Sequence, residues 1–157
     1  MLKYVDTLVS FSEVPDEITL CINITGCKIG CKNCHSPYLA EDIGNILNLQ
    51  ALTSLIDSNS GITCVCIMGG DANSSKVDDI AQDIKEYYPK LKVAWYSGKQ
   101  ELSKDINLEF FDFIKLGPYK EELGPLNSRT TNQRFYKVSG KELVDITNKF
   151  WKHETEN

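Results

Sequence analysis

Apolar runs of two kinds alternate along the chain, and their periodicity predicts strands separated by helices. Residues 18–25 (ITLCINIT) and 62–68 (ITCVCIM) are rich in β-branched side chains, as expected of buried strands. Between them, the apolar residues over 49–56 recur at helical spacing and predict a helix. The first half of the chain therefore indicates a strand–helix–strand unit.

The second half of the chain continues this alternation. Ser75 and Asp78 have the form of a capping box, which predicts a second helix that Pro89 ends. Further strands are predicted over residues 91–96, 111–116 and 134–138, and a closing helix over residues 141–151. Strands separated by helices of about 10–15 residues are typical of βαβ units in a parallel sheet.

The number of strands limits the fold. The five predicted strands are too few to close a barrel of the TIM type, which has eight. The fold class that we expect is α/β, an incomplete (partial) TIM-type β/α barrel with a mostly parallel sheet, in a single domain over residues 1–157. Such a sheet places functional residues at the C-terminal ends of its strands. An incomplete barrel also has an open side, through which a loop of a macromolecular substrate can enter.

Charge and cysteine content narrow the class of function. The net charge of −5 argues against a broad basic face for nucleic acid. No apolar run reaches the roughly 18 residues of a membrane span, and the N-terminal stretch lacks the basic and apolar regions of a signal peptide. We therefore expect a cytoplasmic protein. In that reducing compartment, six cysteines favour metal binding over disulfides.

Three of the cysteines lie together in the segment CKIGCKNC, directly after the first predicted strand. Cys27, Cys31 and Cys34 have the spacing C-x3-C-x2-C. Three thiolates on one loop can hold three irons of a cubane 4Fe–4S cluster. The fourth iron is then open to the amine and carboxylate of an external amino acid. The spacing thus predicts a cluster with an exchangeable ligand rather than a closed electron carrier.

Three other interpretations of these cysteines remain open. Cys31, Cys34 and His35 also form C-x-x-C-H, the attachment pattern of c-type haem, but that pattern leaves Cys27 unexplained and requires an exported protein. A zinc site is a second alternative, although the adjacent Cys34 and His35 do not easily both reach one tetrahedral ion. The third alternative is that the cysteines are unliganded and buried, which the polar, lysine-containing loop disfavours.

The cysteine loop resembles that of the radical S-adenosylmethionine superfamily. Gly69, Gly70 and Asp71, directly after the next predicted strand, resemble the GGE motif of that superfamily, which binds the methionine amino group. Residues 115–134 (KLGPYKEELGPLNSRTTNQR) resemble the activating proteins of anaerobic ribonucleotide reductases, above all in the segments EEL and NQR. The resemblance covers roughly residues 18–138.

This resemblance implies a radical S-adenosylmethionine oxidoreductase with two cofactors, a 4Fe–4S cluster and S-adenosyl-L-methionine. Its implied reaction is reductive cleavage of S-adenosylmethionine to a 5′-deoxyadenosyl radical, which generates a glycyl radical on an anaerobic ribonucleotide reductase. The implied partners are the glycyl radical subunit of that reductase and a low-potential electron donor such as flavodoxin or ferredoxin. The implied cluster ligands are Cys27, Cys31 and Cys34. The implied cofactor-binding residues are Asn33, Cys34, His35, Gly69, Gly70, Asp71 and Ser97.

Two other function classes remain as alternatives. One is a radical S-adenosylmethionine enzyme that acts on another protein or on a small molecule, and the other is a non-enzymatic iron–sulfur electron carrier. Cys21, Cys64 and Cys66 lie within predicted strands, where we expect them to pack in the core as small hydrophobic residues.

Overall fold

The computed structural model describes residues 2–26 and 43–151 of the chain. One sheet of eight strands runs through this part of the chain, in the order β3-β1-β2-β4-β5-β6-β7-β8. The strands and helices are β1 (Lys3–Ser10), β2 (Thr19–Ile24), β3 (Asn45–Ile46), α1 (Leu49–Asp57), β4 (Cys64–Met68), α2 (Ser74–Tyr87), β5 (Lys92–Tyr96), β6 (Phe113–Leu116), β7 (Arg134–Ser139) and β8 (Glu142–Asp145). Short 3-10 turns lie at Asp71–Asn73, Leu108–Phe110 and Thr147–Trp151.

The four central strands are parallel. β2 pairs with β4, β4 with β5 and β5 with β6, all in parallel register. Helix α1 connects β2 to β4 along the chain, and α2 connects β4 to β5, so both predicted βαβ units are confirmed. The four strands end together at Ile24, Met68, Tyr96 and Leu116, which define the C-terminal edge. They begin together at Thr19, Cys64, Lys92 and Phe113, which define the N-terminal edge.

Antiparallel strands flank this parallel centre on both sides. β1 pairs with β2 and β3, while β7 pairs with β6 and β8. The sheet is therefore mixed, and the partial-barrel interpretation stays a prediction. Sequence analysis missed β1, because a register shift between Tyr4 and Asp6 interrupts its alternation and Leu8 is 59% exposed. The predicted strand over 134–138 is present, and it is antiparallel because a helix-free loop connects it to β6.

Two local predictions were wrong. The closing helix over residues 141–151 is instead β8 and a 3-10 turn. Gly140, at φ 63°, allows a tight turn that pairs Ser139 with Glu142, and this hairpin prevails over the helical spacing of the apolar residues. The capping box is also not made, because the Asp78 carboxylate accepts hydrogen bonds from the backbone and side-chain amides of Asn107.

The sheet is covered on both faces, which explains why its central strands are almost continuously apolar. On one face, Leu20, Ile22 and Ile24 of β2 pack with the apolar sides of α1 and α2. On the other face, which we call the cysteine face, a smaller cluster includes Cys21, Cys64, Cys66, Phe113 and Phe135. Neither helix in the described part of the chain is long and apolar enough to cross a membrane.

Candidate functional site

The cysteine-bearing segment leaves the sheet at the end of β2 and returns beside β1. The backbone N–H of Thr25 donates to the Lys3 carbonyl oxygen at 2.9 Å. The Thr25 hydroxyl donates to the carbonyl oxygen of Ile43, the first described residue after the segment, at 2.7 Å. Thr25 thus joins the outgoing and returning ends of the segment at the C-terminal edge. The predicted site residues Cys27, Cys31, Asn33, Cys34 and His35 lie outside the described residues.

Gly69 and Gly70 form a turn directly after β4, with φ values of 106° and 95° that favour glycine. Gly69 faces the end of β2, since a Cβ on it would lie 3.5 Å from the Ile24 carbonyl oxygen. Gly70 faces the core instead, since a Cβ on it would lie 2.5 Å from Cγ2 of Val77 in α2. The turn therefore places Gly69 alone against the strand that leads to the cysteine segment.

Among the described residues, the two glycine carbonyls each accept one hydrogen bond. The Gly69 carbonyl oxygen accepts a hydrogen bond from Nε1 of Trp95 at 2.7 Å. The Gly70 carbonyl oxygen accepts one from the Asn73 backbone N–H at 3.0 Å. Because a carbonyl oxygen has two lone pairs, each retains capacity for a ligand ammonium group. The assignment of Gly69 and Gly70 to cofactor binding stays a prediction.

Asp71 connects the turn after β4 to the turn after β5. Its Oδ1 accepts a hydrogen bond from the Ser97 hydroxyl at 2.5 Å, and its Oδ2 accepts one from the Gly98 backbone N–H at 2.9 Å. Ser97 is buried, and its hydroxyl oxygen also accepts from the Lys99 backbone N–H at 3.1 Å. The structure thus brings two predicted site residues, Asp71 and Ser97, into direct contact. Both carboxylate oxygens of Asp71 are already engaged in fixing this turn.

Sequence analysis missed three residues at this edge. Trp95, 1% exposed, lies beneath the Gly69 turn. Lys115 is buried at the end of β6, where its Nζ donates to the Gly117 carbonyl oxygen at 2.8 Å and lies 5.6 Å from the centre of the Tyr96 ring. Thr25 is the third. Only Lys115 had a recognisable signal, as the one charged residue in the apolar strand FIKL.

Comparison with known proteins gives one family match. A family model described as a 4Fe-4S single cluster domain matches residues 18–139, which is most of the 157-residue chain. The chain belongs to this family. An iron–sulfur cluster-binding domain is therefore present. No curated protein and no solved structure matched the chain.

As a member of the 4Fe-4S single cluster domain family, the chain offers iron two groups of thiols. The group in the sheet, Cys21, Cys64 and Cys66, is buried and free of disulfides, so its predicted place in the core is confirmed. Burial raises the pKa of the Cys64 thiol to about 12. Burial, together with a hydrogen bond to the Cys21 side chain, raises the pKa of the Cys66 thiol well above its usual range. Because iron binds thiolates, protonated thiols of this kind are poor ligands.

The second group, Cys27, Cys31 and Cys34, has the donor chemistry that a 4Fe–4S cluster requires. In the sequence, Cys27 comes three residues after Ile24, the last residue of β2. Within residues 2–26 and 43–151, no group of three or more histidine, cysteine or acidic residues is arranged to hold a metal ion. The cysteine segment therefore fits the cluster of this family better than the sheet cysteines do.

Proposed function

We propose that this protein is a radical S-adenosylmethionine enzyme that activates an anaerobic ribonucleotide reductase by generating a glycyl radical on it. One juxtaposition carries the proposal: Gly69 of the Gly69-Gly70-Asp71 turn lies beside Ile24, which is three residues before Cys27. A turn suited to binding an amino acid ammonium group and a loop suited to binding an iron with an open position therefore leave neighbouring parallel strands side by side.

The chain's own residues hold and orient the ligand in this proposal. When bound, the cluster supplies the electron that cleaves the carbon–sulfur bond of S-adenosylmethionine, giving methionine and a 5′-deoxyadenosyl radical. The Gly69 carbonyl offers an acceptor to the methionine ammonium, and Trp95 fixes the direction of that carbonyl. Asp71 and Ser97 hold the turns after β4 and β5 together, so that the ligand meets a preorganised surface. No side chain is required as an acid or a base.

The choice of partner is supported by residues 115–134, which follow the C-terminal edge directly. In this segment, the side-chain amide of Asn132 donates to the Pro118 carbonyl oxygen at 3.1 Å, and that of Gln133 donates to the Gly117 carbonyl oxygen at 3.4 Å. The NQR part of the segment is thus folded back onto the GP turn at the end of β6. A substrate loop that approached the C-terminal edge would meet this surface.

A non-enzymatic iron–sulfur electron carrier is the second candidate, and membership of the 4Fe-4S single cluster domain family by itself is compatible with it. The two functions differ in their response to S-adenosylmethionine. An electron carrier has no need of an ammonium-binding turn beside its cluster, and it does not form 5′-deoxyadenosine.

The experiment uses the full chain, reconstituted anaerobically with iron and sulfide, and then mixed with dithionite, S-adenosylmethionine and the anaerobic reductase of the same organism. We expect 5′-deoxyadenosine by chromatography and a glycyl radical doublet by electron paramagnetic resonance. Deuteration of the target glycine at Cα should remove the main splitting of that doublet. Formation of 5′-deoxyadenosine without a radical on the reductase would refute the assignment of this reductase as the partner. If protein with a complete cluster forms neither 5′-deoxyadenosine nor the glycyl radical, the proposed enzymatic function is wrong.

A further inference from the structure

We infer that Thr25 is a positioning residue for the cluster, because its side chain holds together the two ends of the segment that carries Cys27, Cys31 and Cys34. The inference rests on the assignment of these cysteines as ligands, which is part of the proposed function. It concerns how tightly the protein holds the cluster, and it is independent of whether S-adenosylmethionine is cleaved.

The hydroxyl of Thr25 has one proton and two acceptors within reach. The Ile43 carbonyl oxygen lies 2.7 Å from Oγ1 and the Lys3 carbonyl oxygen lies 3.3 Å from it. The Lys3 carbonyl oxygen already accepts the Thr25 backbone N–H at 2.9 Å. The hydroxyl proton is therefore donated along the shorter contact, to Ile43 at the returning end of the segment, while the Thr25 backbone N–H bonds to Lys3 of β1. Thr25 is 8% exposed, which shields this hydrogen bond from competition with water.

The returning end of the segment is fixed on the β1 side as well. Gly44 has φ 98°, and a Cβ on it would lie 2.2 Å from the Tyr4 carbonyl oxygen, so the backbone approaches β1 at a distance that only glycine permits. β3 then pairs with Lys3 and Tyr4, and the Leu47 backbone N–H donates to the Leu2 carbonyl oxygen at 2.9 Å. Both ends are thus anchored to β1, and Thr25 provides the side-chain bond between them.

This arrangement lowers the cost of assembling the ligand set. Three thiolates on a loop must be brought to one cluster, and the conformational entropy lost is smaller when the ends of the loop are already joined. Without the Thr25 side-chain bond, the two ends of the segment would be joined only through their separate bonds to β1. We therefore expect Thr25 to slow the loss of iron, beyond any effect on the stability of the fold.

The chain contains a control of the same residue type at the opposite edge of β2, Thr63, which is exposed where Thr25 is buried. The hydroxyl oxygen of Thr63 accepts the Ile18 backbone N–H at 2.9 Å, and the hydroxyl lies 3.3 Å from the Ile18 carbonyl oxygen. Like Thr25, Thr63 is a threonine whose side chain bonds to the backbone of a distant residue beside β2. It lies at the N-terminal edge, away from the cysteine segment, and so it separates general stability from cluster retention.

The test compares Thr25→Val and Thr63→Val in the full chain, reconstituted anaerobically, by the rate at which a ferrous chelator removes iron and by thermal unfolding of the metal-free protein. We expect Thr25→Val to lose iron about fivefold faster than the parent protein, the effect of one net hydrogen bond. Thr63→Val should lose iron at the parent rate, and Thr25→Ser, which keeps the hydroxyl, should restore retention. If Thr25→Val does not fold, Thr25→Ser is compared with Thr25→Ala.

The possible outcomes separate this inference from the assignment on which it rests. Parent-like iron loss by Thr25→Val, equal acceleration by Thr63→Val, or equal rates for the Ser and Ala variants would overturn the positioning role. Retention of iron by Cys27→Ala, Cys31→Ala and Cys34→Ala would overturn the ligand assignment itself, whatever the threonine variants do. Loss of iron by the cysteine variants, together with faster loss by Thr25→Val alone, is the result that supports both.

Discussion

The two edges of the parallel strands are stabilised in different ways. The N-terminal edge has two ion pairs, Lys92 with Glu17 at 2.9 Å and Lys149 with Asp16 at 3.4 Å, in addition to the bond between Thr63 and Ile18. At the C-terminal edge, hydrogen bonds hold the turns: Trp95 donates to Gly69, and Asp71 accepts from Ser97 and Gly98. The exposed pair of Lys149 and Asp16 contributes little and tolerates change, whereas hydrogen bonds to a turn fix the positions of its backbone atoms. The positions of the turns at the C-terminal edge therefore depend on specific hydrogen bonds.

The largest effect should come from replacing cysteines, and it should differ between the predicted cluster ligands and the cysteines buried in the sheet. Replacement of Cys27, Cys31 or Cys34 by Ala should remove nearly all iron from anaerobically reconstituted protein, because the cluster then lacks a ligand. Replacement of Cys66 by Ala should leave the iron content unchanged, since the thiol is buried and protonated. Iron and sulfide analysis gives the result. Stoichiometric zinc in place of iron would contradict the ligand assignment.

The next largest effect should be on stability, and it should differ between Gly70, which follows β4, and Gly61, which precedes it. Gly70→Ala should lower the free energy of unfolding by about 3 kcal/mol, because a left-handed residue acquires a Cβ and that Cβ lies 2.5 Å from Val77 Cγ2. Gly61, at the other end of β4, also has a positive φ but has no atom within 4 Å of a Cβ. Gly61→Ala should therefore cost only about 1 kcal/mol.

Urea unfolding of the metal-free variants measures both values. The difference between the two variants measures the cost of placing a methyl group from Gly70 against α2. A larger side chain at Gly70 should therefore disturb the core as well as any ligand. Equal losses for Gly70→Ala and Gly61→Ala would show that α2 moves freely to accept the new methyl group.

Charged residues at the two edges should also differ. Asp71→Ala removes the acceptor of both the Ser97 hydroxyl and the Gly98 backbone N–H, and should cost about 2 kcal/mol of unfolding free energy. Lys149→Ala breaks an exposed ion pair at the N-terminal edge and should cost less than about 0.5 kcal/mol. Calorimetry with S-adenosylmethionine should show weaker binding to Asp71→Ala alone. Wild-type affinity in that variant would mean that the turn after β5 does not depend on Asp71.

A smaller effect should appear at alkaline pH. Burial raises the pKa of Cys64 from an ordinary value of 9.0 to about 12, so the unfolded state releases the thiol proton at lower pH than the folded state. The stability that this protonated thiol provides is complete below 9.0 and is lost as pH rises toward about 12. One pH unit above 9.0 the loss should be about 1.4 kcal/mol. Cys64→Ala should reduce the slope of unfolding free energy against pH in that window. An unchanged slope would show that it arises from other groups, such as Tyr96, since burial also raises the pKa of that phenol.

The sequence was sufficient to predict the central strands and helices, because each combines a clear period with turn residues at its ends. It also placed Gly69, Asp71 and Ser97 at one edge, since C-terminal ends of parallel strands meet. It failed at β1, where a register shift interrupts the alternation and much of the strand is exposed, and at β8, a short edge strand where a glycine hairpin prevailed over a helical period. It missed Thr25 and Trp95, because a hydrogen bond from a side chain to a distant backbone atom leaves no local pattern.

Trp95 provides the smallest and most specific comparison. Its indole N–H donates to the Gly69 carbonyl oxygen at 2.7 Å, and that of Trp151 donates to the Leu126 carbonyl oxygen, in the loop between β6 and β7, at 2.9 Å. Trp95→Phe and Trp151→Phe should each cost about 1 kcal/mol of stability through the lost hydrogen bond. Only Trp95→Phe frees the Gly69 carbonyl to change direction, so only this variant should change S-adenosylmethionine affinity, measured by calorimetry on iron-loaded protein. Equal affinities in the two variants would show that the indole supports the fold without orienting the Gly69 carbonyl for the proposed ligand.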